Sequence, residues 1–146
     1  MGRSVPDVDG VAQARKVLSD VLSGELPNGE FDHRAHLLVG WYLVRAKPLT
    51  DAIATMRRTL FLATRLAGEP EKFHETLTWL WMVVIAERCR RSSVDESFAQ
   101  FLVSNEDLLD SRAVVLRYYD ESIFSSATAR EHFTLPRSTG SVSPTR

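Results

Sequence analysis

The sequence predicts an all-α protein: an up-down helical bundle with additional short helices toward the C-terminus. Three observations lead there. Glycine and proline cluster at a few places, Gly24 to Gly29, Pro48, Gly68 to Pro70 and Pro136 to Pro144, and leave long segments between them. Within those segments apolar residues recur at spacings of three and four, the period of a helix with one buried face. Alternating β-branched runs and Asn-Gly hairpin signals are missing, so strands are not expected.

The elements follow in order. The first segment, Val11 to Ser23, places Val11, Ala14, Leu18, Val21 and Leu22 on one stripe. Gly24 ends it, since glycine tolerates left-handed angles. The second runs from His33 to about Lys47, with Asp32 placed to accept from first-turn amides and Pro48 closing it. The third takes Thr50 as N-cap and reaches Ala67, with Ile53, Met56, Leu60 and Ala63 inward. The fourth begins near Phe73 and reaches about Arg91. Its run from Leu77 to Ile85 is apolar nearly all round, the mark of a central helix. Ser93 to Glu96 has the pattern of a capping box, with Phe98, Phe101 and Leu102 as the buried face behind it. Weaker helices are expected over Ser111 to Tyr119 and Ser126 to Phe133. Residues 1–136 therefore read as one helical domain and residues 137–146 as a disordered polar tail.

Composition narrows the function classes. The chain has 146 residues, 18 Lys plus Arg against 19 Asp plus Glu, and a net charge of −1. That balance lacks the field of a dedicated nucleic-acid binder. Nucleic-acid binding rests only on Arg57, Arg58, Arg65 and the cluster from Arg88 to Arg91. The single cysteine, Cys89, cannot form an internal disulfide and suits a reducing, cytoplasmic compartment. No apolar stretch reaches the roughly 20 residues needed to span a membrane. The first residues, Met1 to Asp7, carry no apolar core and do not read as a secretory signal.

Three of the four histidines fall in two related places. His33 and His36 lie three residues apart, on one face of the second segment. His74 and Glu75 open the fourth. Both places are helix starts, where the helix dipole disfavours protonated imidazole. Neutral imidazole is the form that binds a metal or acts as a base. If the second, third and fourth helices run up, down, up, their relevant N-termini share one end of the bundle. His33, His36, His74 and Glu75 then become candidate ligands of a divalent ion such as Zn, Fe or Mn, with Glu75 also a candidate base. Arg88, Tyr118 and Tyr119 are candidates for binding or protonating an anionic substrate group. Arg88 also reads as part of a solvated last turn or as a partner for an internal carboxylate. Gly40, inside a helix, calls for close helix approach or space for a ligand. Trp41, Trp79 and Trp81 read as core, or as a stacking wall.

The strings Phe31-x-His33-x-x-His36-Leu37, Lys72-Phe73-His74-Glu75-Thr76, Arg117-Tyr118-Tyr119 and Ala129-Arg130-x-x-Phe133 also resemble a pattern. The resemblance is to a group of small bacterial helical proteins of undetermined function, and it covers about residues 28–136. It implies an intact site at His33, His36, His74 and Glu75 but carries no reaction with it. Two functions stay open. One is a small-molecule metalloenzyme, with lyase, isomerase or hydrolase chemistry ahead of oxygenase chemistry. The other is a non-catalytic helical interaction protein, a homodimer among its forms, whose histidines are structural.

Overall fold

The computed structural model describes residues 10–26 and 29–136; the N-terminal stretch and the expected tail lie outside them. Seven α-helices and no strand are found among the described residues. They are α1 (Val11–Leu22), α2 (His33–Ala46), α3 (Leu49–Leu66), α4 (Glu75–Arg90), α5 (Phe98–Ser104), α6 (Ser111–Val115) and α7 (Ala127–Glu131). Single 3-10 turns at Pro70–Lys72, Glu106–Leu109 and Glu121–Phe124 connect them. The all-α bundle with short C-terminal helices is the architecture that the punctuation predicted.

Local chemistry accounts for most boundaries. Gly24, at φ 93°, ends α1 in the left-handed region. The Asp32 carboxylate accepts from the Ala35 amide at 2.8 Å and starts α2. Two expected starts shift. α3 begins at Leu49 rather than after Thr50, because Pro48 already holds φ −56° and its carbonyl accepts from the Ala52 amide at 2.9 Å. The capping box forms four residues later than expected: Ser97 accepts from the Gln100 amide, and Gln100 accepts from the Ser97 amide. Ser93 to Glu96 is instead a turn, held partly by the Arg45 guanidinium on the Val94 carbonyl. The later start sends Phe98 and Phe101 into the core.

α4 is the central helix. It packs most extensively on α2 and α3 and meets α7 near its start. Leu80, Trp81, Met82, Val84, Ile85 and Ala86 are all buried along it. The core joins them to Leu37, Leu38, Val39, Trp41 and Leu43 of α2, and to Ala52, Ile53 and Met56 of α3. At about 25 cal/mol per Å² of apolar surface, burial of this interior supplies the main driving force for folding.

Gly40 sits at a close approach of α2 to α4. A Cβ placed there would stand 2.6 Å from Ile85 Cδ1 and 3.6 Å from the Met82 sulfur. Close helix approach, not ligand space, explains this glycine. His33 lies over Trp81, while Gly40 lies over Ile85. Both contacts advance toward the C-termini, so α2 and α4 run in the same direction.

The Gly40 contact predicts energetic coupling. Ile85→Val alone is expected to cost about 1 kcal/mol. In a Gly40→Ala background the same change should cost less, because it removes the methyl that the new Cβ meets. Denaturant melts of the four proteins should give a coupling of at least about 0.5 kcal/mol. Strict additivity would refute the contact.

Candidate functional site

His33 and His36 do share a face of α2. Their ring centroids are 6.3 Å apart, and the His33 ring stands edge-on to Trp81 at 4.8 Å. His33 Nε2 lies 2.8 Å from the Leu108 carbonyl oxygen. A carbonyl only accepts, so Nε2 carries the proton and donates. The His33 ring thus fastens the 3-10 turn Glu106–Leu109 to the start of α2. His36 packs between Phe31 and Trp81, and its buried Nε2 has no hydrogen-bond partner among the described residues. Burial, with the neighbouring His33 adding to it, pushes the His36 imidazole down to about 3. It is a neutral ring at physiological pH.

His74 is not brought to this pair. Trp81, the residue under His33, stands seven positions after His74, about 10 Å farther along α4. The parallel path expected from the sequence is present, but α2 is displaced along α4 by about two turns. His74 is also the N-cap of α4 rather than a residue of its first turn. Its Nδ1 accepts from the Leu77 amide at 3.2 Å, and its Nε2 donates to the Ile123 carbonyl at 3.0 Å. Both ring nitrogens are therefore engaged in one neutral tautomer. Burial lowers its pKa, and this outweighs the hydrogen bond to Ile123.

Glu75 turns to α3. Arg57 grips its carboxylate with Nε at 2.6 Å and Nη2 at 3.0 Å, and the Trp79 indole donates to it at 2.7 Å. Burial would raise the carboxyl, but the bonds from Arg57 and Trp79 and the charges of Arg57 and His132 hold it below its ordinary value. A carboxylate gripped in this way is a poor general base. The expected ligand set His33, His36, His74 and Glu75 is thus split over three neighbourhoods. Among the described residues, no group of three or more His, Cys, Asp or Glu side chains is placed to hold a metal ion. The structure does not bring the four residues together.

The remaining candidates also serve the fold. Arg88 takes the inward alternative: it pairs with Asp107 through two bonds at 2.9 and 2.8 Å and donates to Asn105 at 3.0 Å. Arg117 adds a third guanidinium bond to Asp107. The bonds from Arg88 and then Arg117 hold the Asp107 carboxyl far below its usual range. The Tyr119 hydroxyl donates to the Thr134 carbonyl at 2.6 Å, and Tyr118 faces outward. Burial pushes the Cys89 thiol up to about 11, which leaves little thiolate at neutral pH. Trp41 and Trp81 are core.

Two features were not legible beforehand. Thr76 is fully buried, with its hydroxyl 2.7 Å from the Ala129 carbonyl and 2.9 Å from that of His132. It accepts from the Thr134 amide at 3.0 Å. This one hydroxyl moors the last described segment to α4. The other feature is a cleft of about 700 Å³ between α3, the turn Pro70–Lys72 and α7. It is lined by Arg57, Arg58, Phe61 and Arg65 of α3, by Glu71, Phe73 and Glu75 at and after the turn, and by Arg130 and Glu131 of α7. Arg57, Arg58 and Arg65 are visible in the sequence as basic residues, but the cleft needs α7 folded back against the start of α4.

Comparison with known protein families, curated proteins and solved structures found no match. Among the described residues, no helix is long and apolar enough to cross a membrane.

The His36 environment predicts acid sensitivity. Its folded pKa, about 3, lies below the ordinary 6.5, so the unfolded chain binds the proton more readily. The stabilisation is whole above about pH 6.5 and is lost as pH falls toward 3, by up to about 1.4 kcal/mol per pH unit. His74 is shifted in the same direction and adds to the slope. Urea melts between pH 7 and 5 should show falling stability in the wild type and a shallower fall in His36→Leu. Identical slopes would refute the buried, neutral His36.

Proposed function

We propose that this chain is a non-catalytic helical interaction module and that its histidines are structural. One observation carries the reading: apart from the unpartnered His36 Nε2, the polar groups singled out for chemistry are occupied by the fold. His74 uses both ring nitrogens, Glu75 is held by Arg57 and Trp79, Arg88 by Asp107, and Tyr119 by Thr134. Freeing any of them for a reaction would break a helix cap or an inter-helix tie, at about 1–3 kcal/mol each. Other groups stay unspent on the surface. The cleft between α3 and α7 offers the exposed Phe61 and guanidinium groups, the side chains most enriched in protein-binding sites.

Chelation separates this reading from a metalloenzyme. Protein purified without a histidine tag should contain well under one equivalent of divalent metal. Its melting temperature should not move after dialysis against a strong chelator. About one equivalent of bound ion, lost in His36→Ala and accompanied by a fall in melting temperature on chelation, would overturn the proposal.

A further inference from the structure

The cleft between α3 and α7 has a charge arrangement that specifies its occupant. We infer that it docks an acidic protein segment whose carboxylates meet the Arg58 and Arg65 guanidinium groups and whose apolar side chain lies against Phe61. The inference rests on the reading of the chain as an interaction module and names the partner's chemistry.

The α3 face presents these groups together. Arg58, Phe61 and Arg65 follow at i, i+3 and i+7, so they stand in one row on the helix surface. All three are exposed. Seven residues of helix separate the two arginines by about 10 Å along the axis, with Phe61 between them in the row. Phe61 is 43% exposed although it packs edge-on against Phe73 at 5.9 Å, so part of its side chain stays open to solvent. The Arg65 guanidinium stacks over the Phe61 ring at 3.6 Å, so the cation and the ring form one exposed patch that lines the cleft.

These cations are unspent. Arg57 is committed to Glu75, but neither Arg58 nor Arg65 forms an ion pair among the described residues. On α7 Arg130 donates to the Phe124 carbonyl and likewise makes no ion pair there. Guanidinium groups are suited to carboxylates because their planar fork can bind both oxygens.

The mixed sign of the cleft selects the class of partner. Glu71 and Glu131 line the same cleft as the arginine row. They would repel a polyphosphate backbone that fills the cleft, yet they accommodate the polar or basic residues of a protein segment. The net charge of −1 gives no long-range attraction for nucleic acid. An open trough with an aromatic surface also fits a helix laid along it, read through anchors at i, i+3, i+4 and i+7.

The test uses the full chain and a fluorescein-labelled helical peptide with Glu at i and i+7 and Leu at i+3 and i+4. Fluorescence anisotropy should show saturable binding with Kd of about 10–100 μM at low salt. Raising the salt should weaken it, since the contacts are exposed charges. The paired reversal Arg58→Glu with Arg65→Glu should weaken binding at least about tenfold. A matching circular dichroism melt establishes that this variant is folded. Arg58→Gln with Arg65→Gln, which adds no repulsion, should fall between it and the wild type. A scrambled peptide of the same charge should bind more weakly than the ordered one. Absence of binding up to about 1 mM, or equal affinity in the reversed variant, overturns the proposal. So does tighter binding of a single-stranded oligonucleotide that is lost on the same reversal. Metal analysis of the same preparation keeps the two readings apart. A silent peptide with metal-free protein overturns only the partner class, whereas a stoichiometric ion lost in His36→Ala overturns the module reading itself.

Discussion

The approach of α2 to α4 at Gly40 governs how the rest of the chain is arranged. With no Cβ at this point, Ile85 and Met82 of α4 can pack onto the α2 backbone. Two helices touching at backbone distance have little freedom to slide, because the buried side chains on either side interlock. The axial offset between them is therefore set here. It brings His33 over Trp81 and leaves His74 about two turns away. The same offset leaves the start of α4 free of α2, and the C-terminal segment packs there instead.

Three consecutive residues organise that second junction. His74 reaches the turn Glu121–Phe124, Glu75 reaches Arg57 on α3, and Thr76 reaches Ala129, His132 and Thr134. Each bond satisfies a group that burial would otherwise leave costly, whether a carbonyl, a carboxylate or an amide. A His-Glu-Thr string looks like chemistry because it is polar and buried. Three chain segments meet at this helix start, and their backbone groups outside regular structure need partners.

Charge is distributed in two ways. The Arg88, Asp107 and Arg117 group ties α4 to the turn Glu106–Leu109 and to the chain after α6. The Arg57–Glu75 pair ties α3 to α4. Arg58 and Arg65, one helix face away, make no such tie and lie beside an exposed aromatic ring. A net charge of −1 conceals this difference, since counting residues does not separate paired from unpaired charge.

The fold class, the number and order of the main helices, the central place of α4 and the Asp32 cap were legible in the residues alone. These features depend on local periodicity, on backbone preferences of glycine and proline, and on hydrogen bonds spanning three residues. Where two local signals competed, as at Ser93 and Ser97, burial of Phe98 and Phe101 accompanied the choice of the later start. The direction of α2 relative to α4 also followed from the sequence, since connection lengths set it. The displacement between them did not, because it depends on how Gly40, Ile85 and Met82 interlock across a contact between residues more than forty positions apart. A two-turn displacement preserves every helix and every cap, yet it decides which side chains meet. The histidines could therefore be read as members of helix starts, while their partners, Leu108, Ile123 and Trp81, were set by tertiary packing alone.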